Sequence, residues 1–123
     1  MVTPHSVLIV DDEPLIRWSL RAHLEQAGYV VVDAETGRQA LDRAGDEIGL
    51  ALVDLRLPDT DGLRLILEIK RKLPGCRIIL MTAYGSPEVA QEARESGVYD
   101  VLDKPFDLKH LTATVAAALD SPA

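Results

Sequence analysis

Leu50-Ala51-Leu52-Val53-Asp54 decides the reading of this chain: four apolar residues closed by one carboxylate. Followed by Leu55-Arg56-Leu57-Pro58-Asp59-Thr60-Asp61-Gly62, the run reads as a strand buried on both faces whose carboxyl end opens into a loop. Asp54 then stands at a strand tip. An unpaired aspartate buried there costs on the order of several kcal/mol, so the position implies either a partner or a reaction.

Working outward, the same punctuation recurs. Residues 6–10 form a short β-rich run that ends in Asp11-Asp12-Glu13-Pro14, and Pro14 suits a first helical turn. Ile16, Ser19, Leu20, His23, Leu24 and Ala27 then share one face of a helix that Gly28 stops, which leaves Leu15 and Trp18 exposed off the stripe. A solvent-facing Trp favours a docking surface, whereas a lone His on an apolar stripe is ordinarily a satisfied boundary residue. A second strand spans 30–34, and a helix over 36–44 carries Ala40, Leu41 and Ala44 on its apolar side.

After Asp54 and its loop, a third helix carries Leu63, Ile66, Leu67 and Lys70 on one face, with Arg64, Glu68 and Arg71 solvated, and ends at Leu73-Pro74-Gly75. Residues 77–81 are a fourth strand closing on Thr82. Ser86-Pro87-Glu88 supplies a cap, a first-turn proline and an acid at a positive helix end, and this fourth helix runs to Ser96-Gly97. A fifth strand spans 98–102. Asp103-Lys104-Pro105-Phe106 is a loop, and Asp107 caps a last helix with Leu108, Leu111, Val115 and Leu119 on one side.

Five strands, each followed by a helix, predict an α/β fold: a doubly wound, five-stranded parallel sheet with helices on both faces. The flavodoxin-like strand order 2-1-3-4-5 places function at the carboxyl ends of strands one and three, where the winding reverses. All 123 residues fit one domain, with a core over 6–119 and residues 120–123 as the start of a linker or tail.

Composition narrows the function classes. Lys plus Arg number 13 against 20 Asp plus Glu, a formal charge of -7, which repels nucleic acid and anionic membrane. The one cysteine, Cys76, cannot form an internal disulfide and reads as a small packing residue. Neither a spanning segment nor a signal peptide is visible, so a cytoplasmic protein is expected.

Strand tips bring Asp11, Asp12, Asp54, Thr82 and Lys104 together. Three carboxylates so close repel one another, and a hard divalent cation with oxygen ligands relieves them; Mg²⁺ is the expected occupant, with Mn²⁺ able to substitute. A metal, an ammonium and a hydroxyl around a carboxylate suit a transferring phosphoryl group, with Asp54 as nucleophile.

Four motifs carry a family resemblance: Leu8-Ile9-Val10-Asp11-Asp12-Glu13-Pro14, residues 52–62, Met81-Thr82-Ala83-Tyr84 and Asp103-Lys104-Pro105-Phe106. In this order and spacing the chain resembles the receiver domains of bacterial two-component response regulators. The resemblance implies that Asp54 accepts a phosphoryl group from a sensor histidine kinase. It also implies that Asp12 and Asp54 ligate the metal, Asp11 helps through water, and the backbone carbonyl of Arg56 is a further ligand. Thr82 and Lys104 would hold phosphoryl oxygens, Lys104-Pro105 would be a cis peptide, Gly62 would be structural, and Thr82 with Tyr99 would form the switch. The resemblance places phosphotransfer partners beside the first helix, where Trp18 and Leu15 would dock them. Such a domain is no enzyme beyond its own phosphotransfer and dephosphorylation.

The details of residues 57–62, Trp18 and Tyr99-Asp100 are similar to receivers of enhancer-binding transcriptional activators of the nitrogen-regulatory type. Those activators continue into ATPase and DNA-binding domains, which this chain lacks, so it is expected to be a single-domain regulator or a truncated piece. The active state is expected to favour a phosphorylation-dependent homodimer or an effector. The alternative is a phosphatase of the haloacid-dehalogenase type, which uses a similar Asp, Thr, Lys and Asp set with Mg²⁺. It needs its nucleophile in a D-x-D on strand one, whereas Asp11-Asp12-Glu13 stands there. A flavin carrier shares the sheet but needs a hydroxyl- and glycine-rich phosphate loop.

Overall fold

The structure is a computed structural model that describes residues 6–83 and 86–120. Residues 1–5, Tyr84 of the third motif and the tail Ser121-Pro122-Ala123 lie outside the described residues. Strands and helices alternate as β1 (Ser6–Val10), α1 (Pro14–Gln26), β2 (Val30–Ala34), α2 (Gly37–Arg43), β3 (Ile48–Asp54), α3 (Gly62–Lys72), β4 (Arg77–Thr82), α4 (Pro87–Glu95), β5 (Asp100–Asp103) and α5 (Leu108–Asp120). The sheet is parallel throughout in the order β2-β1-β3-β4-β5. This is the arrangement expected from alternation of strand and helix.

Two cores result from the two-residue period of the strands. Leu8, Val10, Ala51, Val53, Ile78 and Leu80 point to the side covered by α2, α3 and α4. Val7, Ile9, Leu50, Leu52, Ile79 and Met81 point to the side covered by α1 and α5. Both faces of β1, β3 and β4 are therefore buried, which is why their sequences read as unbroken apolar runs rather than as alternation.

Local signals place the helix ends. Ser86 Oγ accepts from the Val89 N–H at 3.2 Å, Asp107 Oδ1 accepts from the Lys109 N–H at 2.8 Å, and Pro14 and Pro87 open α1 and α4. Gly28 and Gly97 end α1 and α4 with φ of 97° and 92°, a left-handed conformation that glycine adopts without penalty. Cys76 is buried and its thiol is pushed up to about 11 by that burial, in keeping with a packing role.

Two expectations need correction. The buried row of α3 is Gly62, Leu65, Ile66 and Ile69, and Leu67 is half exposed. The cause lies at the helix start. Gly62 abuts the Asp54 carbonyl oxygen and the Leu55 Cα, which turns position 62 toward β3 and fixes the row that follows it at i+3, i+4 and i+7. Second, β5 begins at Asp100 and ends at Asp103, because the Val98 N–H still bonds the Ala93 carbonyl in the exit from α4.

Gly62 yields a direct test. A Cβ there would meet the Asp54 carbonyl oxygen and lie 2.8 Å from the Leu55 Cα, both backbone atoms that cannot swing away. Gly62→Ala is expected to lower stability by about 2 kcal/mol in urea denaturation. Gly75→Ala, where nothing lies within 4 Å, should stay within about 0.5 kcal/mol of the parent.

Candidate functional site

Register builds the site. Val10 pairs with Val53, so Asp11 emerges beside Asp54 at the carboxyl edge, while Asp54 pairs with Met81 and Met81 with Leu102, which brings the end of β5 to the same level two strands away. Alternation puts Asp11 in the row of Val7 and Ile9, and Asp54 in the row of Leu50 and Leu52, both toward α1 and α5. Asp11 is fully buried, Asp54 nearly so, and Asp12 is exposed. Carboxylate oxygens of all three lie within 4.8 Å of one another.

Lys104 reaches into this cluster from the loop after β5. Its ammonium donates to Asp11 Oδ2 at 2.9 Å and lies 3.3 Å from Asp54 Oδ2 and 3.5 Å from Glu13 Oε1. The Lys104 N–H donates to the Thr82 carbonyl at 2.7 Å, and Lys104-Pro105 is a cis peptide. Burial alone would lower the Lys104 pKa, but the hydrogen bond to Asp11 and the charges of Asp11 and Asp54 outweigh it and hold the ammonium above its ordinary value. Asp54 is shifted the other way from most paired carboxylates. Burial first, and then the charge of Asp11, raise its pKa, while Lys104 opposes them only in part.

The donor set fits a hard cation. Three carboxylates in oxygen-ligand proximity offer no sulfur or imidazole, and one ammonium does not discharge them, as the raised Asp54 pKa records. Asp11 already spends both oxygens, Oδ1 on the Glu13 N–H at 2.9 Å and Oδ2 on Lys104. Asp54 Oδ1 accepts a long bond, 3.5 Å, from the Arg56 N–H.

Thr82 is buried at the end of β4 with Asp103 as its register partner. Alternation sets it in the row of Ile78 and Leu80, on the α3 and α4 side. Tyr99 is exposed and precedes β5, its N–H bonded to the Ile78 carbonyl at 2.7 Å. It therefore sits four residues before Asp103, about 13 Å along the strand, and Val101 fills the register position between them. The structure does not bring Thr82 and Tyr99 together. Leu15 and Trp18 are exposed on α1 at 73% and 68%, and Leu15 borders a cleft of about 490 Å³ with Ile16, Lys104, Pro105 and Phe106.

Two contributors escaped the sequence reading. Glu13 shares the Lys104 ammonium, and the Arg17 guanidinium donates to the Asp11 carbonyl at 2.7 Å. A cation in the first turn of a helix, at the positive end of its dipole, was the available signal for Arg17.

A family model described as the response regulator receiver domain matches residues 7–116. The chain belongs to this family. Among curated relatives, the transcriptional regulatory protein ZraR of Escherichia coli (strain K12) is 40% identical over 92% of this chain and 26% of its own length. The DNA-binding transcriptional regulator NtrC of the same strain is 36% identical over 92% of this chain and 24% of its own. The chain thus spans about a quarter of the length of these relatives. A CheY-like receiver structure from Methanospirillum hungatei JF-1 superposes with a TM-score of 0.90 at 32% identity, covering 95% of this chain and 94% of that one. This receiver is a regulatory signalling domain of the two-component type, related to NtrC-type transcriptional regulators. The dehalogenase-type alternative is not favoured, since a receiver model covers the chain and its strand-one tip reads Asp11-Asp12-Glu13.

The receiver's raised Asp54 pKa has a definite sign in stability. Ionised Asp54 costs stability in full above its folded pKa, and the cost vanishes below the ordinary value of 3.8. Asp54→Asn in metal-free buffer is expected to stabilise the protein by about 1 kcal/mol at pH 7. That gain should shrink as pH falls toward 4; thermal melts showing a gain that grows on acidification would contradict the assignment.

Proposed function

We propose that Asp54 is the phosphoacceptor of this receiver and that a sensor histidine kinase is the donor. The observation that carries the reading is the Asp54 carboxylate held 3.3 Å from the Lys104 ammonium within a three-carboxylate cluster. An Asp54 oxygen attacks the phosphorus of the kinase's phosphohistidine. The O–P bond forms as the N–P bond breaks, and that electron pair leaves with the imidazole nitrogen. Lys104 and Thr82 hold oxygens of the transferred group. Asp12 and Asp54 would hold Mg²⁺, or Mn²⁺ in its place, directly, with Asp11 acting through water and the Arg56 carbonyl as a third protein ligand. The cation when bound neutralises charge on the phosphoryl oxygens. Dephosphorylation is attack of water on the same phosphorus, releasing inorganic phosphate and the free Asp54 carboxylate. Beyond these two steps the domain catalyses nothing.

Kinase docking is assigned to the exposed Trp18 and Leu15 beside the cleft that opens on Lys104. The setting is cytoplasmic, the single domain acts on an output for transcription regulation, and DNA is not touched by this acidic chain. After incubation with acetyl phosphate and Mg²⁺, intact mass should show one added phosphoryl on the parent and on Trp18→Ala, and none on Asp54→Ala. Transfer from the cognate kinase should slow at least severalfold in Trp18→Ala. A full phosphoryl on Asp54→Ala would end the assignment, and equal losses with both donors would remove Trp18 from the docking face.

The readout surface is assigned to α4, β5 and α5, with Thr82 as trigger and a homodimer as the active form. Thr82 follows Met81, the register partner of Asp54, and a charge-assisted bond from its hydroxyl, about 1.5 to 3 kcal/mol, is enough to tip two arrangements a few kcal/mol apart. Tyr99 is the exposed aromatic of that surface, moved through Val101. Beryllofluoride, standing in for phosphoryl on Asp54, should shift the NMR signals of Val101 and Tyr99 and favour the dimer. Thr82→Ala should bind it without those shifts, and retention of the full response would show that the hydroxyl is not the trigger.

A further inference from the structure

The loop from Leu55 to Asp61 is a small, internally bonded lobe. Arg56 and Asp61 form an antiparallel bridge, the Leu57 N–H donates to the Thr60 carbonyl at 3.3 Å, and the Gly62 N–H donates to the Leu55 carbonyl at 2.7 Å. These bonds make the lobe move as a unit. Its root is Asp54, and its tip is Asp59.

That tip is fastened to a distant part of the chain. Asp59 Oδ1 accepts from the Gly37 N–H at 2.8 Å and Oδ2 accepts from the Arg38 N–H at 3.0 Å, 22 and 21 residues away in sequence. Thr36 Oγ1 serves the next donor, Gln39 N–H, at 3.1 Å, and the Thr36 carbonyl serves Ala40. The first two free N–H groups of α2 are thus satisfied across the molecule, and only the third by its own cap. Thr60 closes against the same spot, since a Cβ on Gly37 would lie 2.5 Å from Thr60 Cγ2. The hydrogen bond from Gly37 above all keeps the Asp59 carboxyl below its ordinary pKa, as expected for an anion that accepts from two backbone N–H groups.

We infer that Asp59 is a positioning residue for the cation site, locking the lobe tip onto Gly37 and Arg38 so that the Arg56 backbone carbonyl is held at the distance a ligand needs. The inference rests on the proposed metal role of Arg56. Asp59 lies three residues beyond Arg56 on the same bonded lobe, so freeing the tip frees the carbonyl, while Asp11 and Asp12 follow directly on β1 and Asp54 ends β3, none of them on the lobe. A small cation with strict octahedral demands is the occupant most sensitive to such loosening.

Calorimetric titration of the full chain with MgCl₂ tests this, alongside amide NMR of Arg56 and Gly37. Asp59→Ala is expected to weaken Mg²⁺ binding about tenfold, the scale of losing an outer support of a metal ligand. Asp59→Asn, which keeps one acceptor oxygen, should recover most of that loss and most of the Arg56 amide position. Should Asp59→Ala fail to fold, Gly37→Ala displaces Thr60 with every acid in place and should weaken binding severalfold. A purely structural Asp59 would lower the urea midpoint while leaving Mg²⁺ affinity and the Arg56 amide untouched, and that result in a folded variant overturns the inference. Asp12→Ala separates the two levels. If it weakens binding while the Asp59 and Gly37 variants do not, only the lock is wrong; if it too leaves affinity unchanged, the metal-site reading fails and the lock falls with it.

Discussion

The contact between Lys104 and two buried carboxylates organises this molecule. Asp11 and Asp54 lie side by side at the carboxyl edge, and their repulsion in a buried setting would open the sheet there unless a cation stood between them. The cation comes from 93 residues beyond Asp11. Its position is set by the backbone bond from the Lys104 N–H to Thr82, so closure of the sheet at β4 and β5 and neutralisation of the acids are one event. Ion-pair geometry is also unequal: Lys104 sits closer to Asp11 than to Asp54, and Asp54, with the poorer compensation, is the one whose pKa is raised.

Most of the fold was legible because burial on both faces writes itself as continuous apolar runs. Residues 6–10, 48–54 and 77–82 are such runs; the second and third end at Asp54 and Thr82, and Asp11 follows the first, marking the carboxyl edge. Helix faces were less legible where the sequence is apolar on several sides. In α3 the stretch Leu63-Arg64-Leu65-Ile66-Leu67 satisfies two adjacent stripes, and the choice between them was made by Gly62 packing on the Asp54 backbone, a contact no periodicity encodes. Strand five was placed two residues early for a similar reason, since Val98 and Tyr99 have strand-like composition while Val98 completes the turn out of α4.

Within the cluster, residues whose chemistry is scarce at a strand tip could be named from sequence: Asp11, Asp12, Asp54 and Lys104. Those that act through the backbone or across long separations could not. Arg17 donates to a backbone carbonyl, Asp59 accepts from the N–H groups of Gly37 and Arg38, and Glu13 reads as one acid among three. The coupling of Thr82 to Tyr99 is what the family resemblance implies. Neighbouring strands share an edge, but register decides which residues along that edge meet, and here it pairs Thr82 with Asp103.

Trp18 is the one tryptophan in the chain, and its ring stands 68% exposed on α1. The molecule therefore carries a single indole chromophore reporting on water at one patch of its surface and almost nothing of its interior. Its emission would follow occupancy of α1 rather than folding of the cores, which gives the protein a built-in optical label for whatever settles there.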